Sequence, residues 1–449
     1  MARQIDELAK FVATTQWDAI PASVQHHTRL VLLDTLGVIL AGADRPEVRQ
    51  LREQLTGSVG ATVYARGWPT SDPRTAALLN GIAGRSIELC EGLRLVSGQA
   101  AMQVLLGVLA VGEQAHSTGR DMVTALLLGY DVAARLAAGF TPRPLAHQNG
   151  QVSLLAAAAS GARLRGLDAS GISRAMRIAT TLLLTPSYTN AVAGATALNV
   201  AGGMSGFAAA LAPELALAGF EAQDDAVEQS LGQLVGSGFT PNGLLDELGT
   251  TWHITRNYFR LYACCNPIHP ALDCLRQALA ELHPRADEIA HIDIATYGFA
   301  AVMRNPDPPN YFASKYSLPH AAATMAVRGH AGHSALDDTA VHDPAIVSLR
   351  HRVTIAEDPG MTAMAPRLRQ ARVTVALTDG RSATHACDSH RGDFQQPFAE
   401  TELREKFHEL AGVALTPEGV TLVEQAVDHC YEWDSVDVLT ALCRRYGRA

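Results

Sequence analysis

The sequence predicts a mostly α-helical protein carrying a smaller α/β domain toward its C-terminal end. Three features point there: apolar, capped segments at helical spacing up to about Gly249, a change to strand-like alternation after "RLYACC", and a return to helical periodicity in the tail. At 449 residues the chain has room for about two or three domains, or one large domain with a smaller one attached. The expected division is 1–268 for the first part of the helical domain, 269–396 for the α/β domain, and 397–449 for helices packing back on the helical body.

In chain order, "MARQIDELAKF" is polar and acidic in its first turns, unlike the positive-then-apolar layout of an export signal, so a cytoplasmic location is expected. "PASVQHHTRLVLLDTLGVILAGA" is apolar nearly all round after Arg29, the pattern of a central helix. "STGRDMVTALLLGYDVAARLAAGF" begins with a cap at Ser117 or Thr118, and "LDASGISRAMRIATTLLL" with one at Asp168. The most apolar stretches are broken by Gly, Asp131 and Arg135 short of the ~20 residues that cross a bilayer, so they read as buried helices and no membrane partner is expected. "HIDIATYGFAAV" alternates like a strand, and "RVTVALTDGRSATHAC" reads as two strands around an Asp379-Gly380 turn. "AETELREKFHELAG", "TPEGVTLVEQAVDHC" and "SVDVLTALCRRY" are helical again.

Composition narrows the function. The chain is 47% hydrophobic and 18% charged with 37 Gly and many Ala, the profile of tightly packed helices. With a net charge of -9 and scattered Lys and Arg, there is no basic stripe for nucleic acid. The 7 cysteines are an odd, dispersed set, so free thiols are expected. Four of the chemically interesting side chains crowd into "NYFRLYACCNPIHPALDCL": Cys264, Cys265, His269 and Cys274. They could form a metal site, a redox pair or a pocket wall. No CxxC partner exists elsewhere, and His330 and His333 in "GHAGHS" have no companion at ligand spacing, so no metal is expected. A vicinal disulfide would be strained and out of place in a reducing compartment.

Eight segments, in order, bear a family likeness: "LLDTLGVILAG", "RTAALLNGIAGRSIEL", "TGRDMVTALLLGYDVAARL", "HQNGQVSLLAAAASGARLRGLDASGISRAMRIA", "GATALN", "FRLYACCNPIHPALD", "ASKYSLPHAAATMAVRG" and "DGRSATHACDSHRGDFQQPFAETELREKF". In sequence and spacing the chain resembles, nearly end to end, the MmgE/PrpD family, which includes 2-methylcitrate dehydratase, cis-aconitate decarboxylase and iminodisuccinate epimerase. The resemblance implies a large all-α domain built from the N-terminal portion and the tail, a smaller α/β lid, a homodimer, and a cofactor-free active site between the domains. It also implies a small-molecule carboxylate substrate. Such reactions move a proton at carbon beside a carboxylate, which calls for a general base or acid and for cationic groups around the carboxylate.

His147 in "PLAHQNGQ" falls where the family carries a histidine before a Gly-rich helix start, and it is the first candidate for base or acid, with a pH limb expected near ~6.5. Arg260 stands where family members often have Lys; a guanidinium can grip a carboxylate bidentately but is a poorer proton donor. His320 opens the helical run after "KYSLP", where the helix start favours an anion, with Lys315 on the same segment and Tyr316 expected to pack in the core. In "SIELCEGLRLVSGQAAM" the family's Asp-rich stretch, hydroxyl and His-Pro pair are replaced by Glu88, Cys90, Glu91, Gly92 and Gln99, and Leu198 stands near a position that is often basic. "YACCNPIHP" reads as hinge and pocket wall, with Cys264 or Cys265 facing the cavity and His269 capping the next helix or lining the cleft.

The expected proton-transfer residues are therefore His147, His320 and Glu88, and the expected substrate contacts Arg260, Gln99, Tyr262, Cys265, His269 and Lys315. His147, Arg260 and His320 are expected to share one cleft. The function expected is a cofactor-independent lyase with dehydratase-like proton abstraction. The replaced motif makes an epimerase or isomerase the alternative, since epimerisation has no leaving group to protonate, and a non-catalytic binding protein is the second alternative.

Overall fold

The computed structural model describes residues 2–96 and 98–448. Its body is a cluster of helices around Asn199–Leu217, which packs on Pro73–Arg85, Val152–Leu164 and Ala100–Gln114. The surplus of Gly and Ala has its physical use here. A Cβ on Gly81 would lie 2.4 Å from Gly203 Cα, and one on Gly107 would lie 2.1 Å from Ala209 Cβ. The helices thus approach closely because the contact residues have almost no side chain, and the closeness maximises dispersion contacts.

The central helix is Ala22–Gly42, buried at every position from Leu30 to Gly42. The C-terminal helix Glu400–Ala411 lies against it, and the contact encloses an ion pair in which Lys406 Nζ donates to Asp34 Oδ1 at 2.6 Å. The caps fall where the sequence puts them. Thr118 accepts the Asp121 N–H at 3.2 Å at the start of Gly119–Gly139, and Asp168 accepts the Gly171 N–H at 2.8 Å at the start of Ala169–Ala179.

Gly119–Gly139 corrects one expectation. Asp131 and Arg135 do not interrupt it, and it runs unbroken for 21 residues, long and apolar enough to cross a membrane by length and composition, as is the segment Thr196–Leu217. Both are mostly buried inside the helical body. Asp131 and Arg135 survive in the interior because they satisfy each other: Arg135 Nε donates to Asp131 Oδ2 at 2.5 Å, and Nη1 donates to the Leu244 and Asp246 carbonyls.

The α/β part is a four-stranded sheet in the order Val353–Glu357, Ile289–Thr296, Ala371–Leu377, Ser382–Cys387. The first pair is parallel and the others antiparallel. Helix His269–Leu282 covers the last two strands. The Asp379-Gly380 turn joins them with Gly380 at φ 91, a conformation glycine adopts without strain. Two features lie outside the strands expected from the sequence: the edge strand "VTIAE", and the pairing of Phe140–Pro142 with Gly236–Phe239 inside the helical part. Neither has the length of alternation that marks a strand.

Candidate active site

A cavity of about 410 Å³ opens between the helical body and the segments around the sheet. Arg85 ends helix Pro73–Arg85, Gln99 precedes helix Ala100–Gln114, His147 lies in the loop before Val152–Leu164, and Tyr258, Arg260 and Cys265 come from the segment leading to His269–Leu282. Tyr297 follows strand Ile289–Thr296, Tyr316 precedes helix Leu318–Arg328, and Arg369 precedes strand Ala371–Leu377.

At its base lies a buried charge cluster. Arg260 Nη1 donates to Glu88 Oε1 at 2.7 Å and to the Glu88 carbonyl at 3.2 Å. Arg85 Nη1 donates to Glu88 Oε2, its Nη2 donates to the Tyr316 hydroxyl at 2.7 Å, and that hydroxyl donates to Glu88 Oε2 at 2.9 Å. Three donors thus converge on one carboxylate. Glu88 reaches this position from a left-handed backbone conformation, φ 51, of the kind retained where surrounding structure over-determines it. The Nε atoms of Arg85 and Arg260 are buried and make no hydrogen bond among the described residues. The cavity therefore holds three guanidinium groups against one carboxylate, with donors to spare.

His147 is 5% exposed and stacks on Tyr188, the ring centroids 5.6 Å apart at 14°. Burial, with the nearby Arg85 charge, pushes its pKa down to about 3, so the ligand-free ring is neutral at physiological pH. Nδ1 accepts the Asn149 N–H at 3.2 Å, which leaves the neutral ring's proton on Nε2. The loop is pinned from below: Gln103 Oε1 accepts from the Gly150 N–H and from Ser205 Oγ, both at 2.9 Å. The expected His147 limb near ~6.5 does not describe this pocket, because the tertiary fold buries the ring and sets Arg85 beside it.

Of the expected site residues, His147, Glu88, Gln99, Arg260 and Cys265 line the cavity. Of the adjacent thiols Cys265 faces it, whereas Cys264 is fully buried. Four others lie elsewhere. His320 is fully buried on Leu318–Arg328, its ring lowered to about 3 by burial and by Arg350, Lys315 and Arg328; neither ring nitrogen has a hydrogen-bond partner among the described residues. It does not share a cleft with His147 and Arg260, because the helix start that carries it faces the interior. Lys315 is turned to the Leu336 carbonyl and lies 4.0 Å from the Tyr311 ring centroid, its pKa lowered to about 7 by burial. Tyr262 donates to Asp273 Oδ1 at 2.7 Å and borders a separate cavity with His330 and His333. His269 neither caps its helix nor lines the cavity; its Nε2 donates to the Cys264 carbonyl at 3.0 Å, holding the turn that presents Cys265.

Arg85, Tyr188, Tyr258, Tyr297 and Arg369 line the cavity and went unread in the sequence, and Tyr316, expected in the core, faces it as well. Arg85 had a readable sign, a cation ending an apolar helix three residues before Glu88. Arg369 had none. It is aimed by a relay from another element: Arg391's carbonyl accepts from His390 Nδ1 at 2.7 Å, His390 Nε2 accepts from Asn266 Nδ2 at 2.8 Å, and Asn266 Oδ1 accepts from Arg369. Among the described residues no group of three or more His, Cys, Asp or Glu is placed to hold a metal ion.

Comparison with known proteins bears on the whole chain. The family model for the MmgE/PrpD N-terminal domain matches residues 6–238, and that for the MmgE/PrpD C-terminal domain matches residues 262–431. Similar proteins include the cis-aconitate decarboxylase of Aspergillus terreus (strain NIH 2624 / FGSC A1156), 23% identical over 94% of this chain and 92% of the relative. The cis-aconitate decarboxylase of Homo sapiens is 22% identical over 94% of this chain and 90% of the relative.

Proposed function

The chain belongs to the MmgE/PrpD family and is an enzyme of that family's lyase type, and from this premise we propose that it acts at the carbon beside a carboxylate of a small organic acid, in the cavity around His147. The observation that carries this is the pairing of one neutral imidazole with three guanidinium groups in a single cavity. A bound carboxylate takes the unspent donors of Arg85 and Arg260, and the same charges stabilise the electron pair that develops on the neighbouring carbon.

Within the lyase class, loss of CO2 followed by protonation fits the side chains best. The carbon–carbon bond to the departing carboxylate breaks, its electron pair stays on carbon, and His147, protonated from solvent once bound carboxylates offset Arg85, gives its Nε2 proton to that carbon and returns to the neutral imidazole. That sequence needs one proton-transfer group. Dehydration needs both a base and an acid, and Glu88 is occupied by Arg85, Arg260 and Tyr316. Epimerisation is the second reading, favoured by Gln99 standing where the family places an imidazole, since it asks only for proton removal and return. The relatives' substrate makes cis-aconitate the first compound to offer.

The test is incubation with cis-aconitate and a panel of di- and tricarboxylates in D2O, following CO2 release and deuterium incorporation, for the wild type and His147→Gln. The glutamine keeps size and a hydrogen-bonding amide but cannot transfer the proton, so turnover falls roughly 100-fold or more. Deuterium exchange without CO2 release identifies the epimerase reading, and near-native turnover by His147→Gln refutes the role of His147.

A further inference from the structure

Gly92 and Tyr258 are bound backbone to backbone: the Gly92 N–H donates to the Tyr258 carbonyl at 3.0 Å, and the Tyr258 N–H donates to the Gly92 carbonyl at 2.8 Å. A Cβ on Gly92 would lie 2.3 Å from the Tyr258 hydroxyl oxygen and 2.5 Å from its Cζ. Any side chain at 92 and this placement of the tyrosine exclude each other. The phenol stands in the space that a residue larger than glycine would fill.

The ring is held by charge. The Arg260 Cζ lies 5.6 Å from its centroid, the Arg369 Cζ lies 6.0 Å away, and the His390 ring meets it edge-on at 5.7 Å. His390 is the same residue that, through Asn266, aims Arg369. The other cavity phenols differ in how they are used. Tyr316 is tied into the Glu88 cluster, Tyr297 donates to the Pro267 carbonyl at 3.3 Å, and Tyr188, whose buried hydroxyl also has no hydrogen-bond partner among the described residues, stacks on His147 instead of lying under two arginines. The Tyr258 hydroxyl makes no hydrogen bond among the described residues, although Tyr258 lines the cavity. A phenol locked in place beside two cations with its hydroxyl unused is a preorganised donor, and immobilising it has already been offset by folding.

We propose that Tyr258 is a substrate-contacting, specificity-determining residue of this chain: its hydroxyl, admitted by Gly92, donates a hydrogen bond to a ligand carboxylate oxygen beside Arg369. The proposal rests on the cavity being the site of carboxylate chemistry. It supplies from a different element the hydroxyl that the resemblance expects at position 92. A site that spends a buried donor in this way discriminates against ligands lacking the matching oxygen.

The experiment compares wild type, Tyr258→Phe and Gly92→Ala. Calorimetry follows binding of propane-1,2,3-tricarboxylate and of butyrate, which carries a single carboxylate, and kcat and KM are measured with cis-aconitate. Tyr258→Phe removes only an unbonded hydroxyl, so the thermal midpoint is unchanged while tricarboxylate binding weakens about 10-fold or more. Butyrate binding changes less. Gly92→Ala displaces the same ring from the other side and reproduces the loss of tricarboxylate selectivity. Unchanged tricarboxylate binding and KM in Tyr258→Phe overturn the proposal, as does an equal loss for both probes. A wild-type protein that binds neither probe overturns the reading of the cavity itself, and His147→Gln that binds the tricarboxylate but does not turn over separates the two cases.

Discussion

Arg85 and Arg260 both spend a guanidinium nitrogen on Glu88, and His147 answers to the same field, its pKa lowered by burial and by Arg85. In the free enzyme the imidazole stays neutral from pH 5 to 8, so kcat/KM, which reports the free enzyme, carries no His147 limb in that range. Bound carboxylates oppose Arg85 and favour the charged ring, so any His147 limb in kcat lies at higher pH than its counterpart in kcat/KM. Paired pH profiles check this. A kcat/KM limb near ~6.5 that disappears in His147→Gln contradicts it. His147 stacks on Tyr188, and Tyr188 meets the half-exposed Phe299 at a 46° tilt with centroids 5.6 Å apart, which continues the aromatic wall from the buried end of the cavity toward solvent.

Helix Pro73–Arg85 positions Arg85 only because Gly81 lets it press against Asn199–Leu217. A methyl group there meets the Gly203 backbone at 2.4 Å, which cannot give way as Leu106 Cδ1 at 2.6 Å can, so Gly81→Ala forces the helices apart and costs roughly 1–3 kcal/mol. A fall in the denaturation midpoint is the expected reading, with activity reduced in the folded fraction because Arg85 moves. A midpoint equal to wild type means the helix pair can relax freely. Loop 147–150 depends on another element in the same way, since Gln103 of helix Ala100–Gln114 accepts from the Gly150 N–H. The start of that helix is itself held by Glu91, which accepts the Ala101 N–H at 2.9 Å and the Tyr130 hydroxyl at 2.9 Å, with its pKa raised to about 7 by burial.

Across the whole molecule, folding buries His147, His269, His320 and His390, all with pKa values lowered chiefly by desolvation, three of them to about 3. A lowered histidine pKa means that the unfolded chain binds more protons below ~6.5, so the stability is intact above that pH and lost progressively toward pH 3, by roughly 1.4 kcal/mol per unit for each group. Glu91, Asp34 and Asp273 are raised and act in the opposite sense, three carboxylates against seven rings, since burial lowers His27, His253 and His333 as well. Stability accordingly falls between pH 6.5 and 5, and urea midpoints across that range measure it; a midpoint that rises toward pH 5 refutes the balance. Phe299, 51% exposed, lines the cavity, and Leu145, 70% exposed, sits between the cavity-lining Pro144 and Ala146, so both leave apolar surface at the cavity. Light scattering at micromolar concentration is expected to find a homodimer, and a monomer would count against it.

Helical periodicity, capping residues and the strand pair around Asp379-Gly380 were legible in the chain because each depends on neighbours a few residues away. His147, Glu88, Gln99, Arg260 and Cys265 stand in ordered segments that bracket them in a recognisable pattern, and all five line the cavity. The direction of a buried side chain follows different physics. His320 and Lys315 lie on a segment close to Tyr316, yet Tyr316 faces the cavity and the other two face the interior, a choice made by the packing of helix Leu318–Arg328. Arg369 reaches the cavity through contacts with Asn266 and His390, and Tyr258 through the missing Cβ of Gly92; such partners are distant in the chain and adjacent only once it has folded.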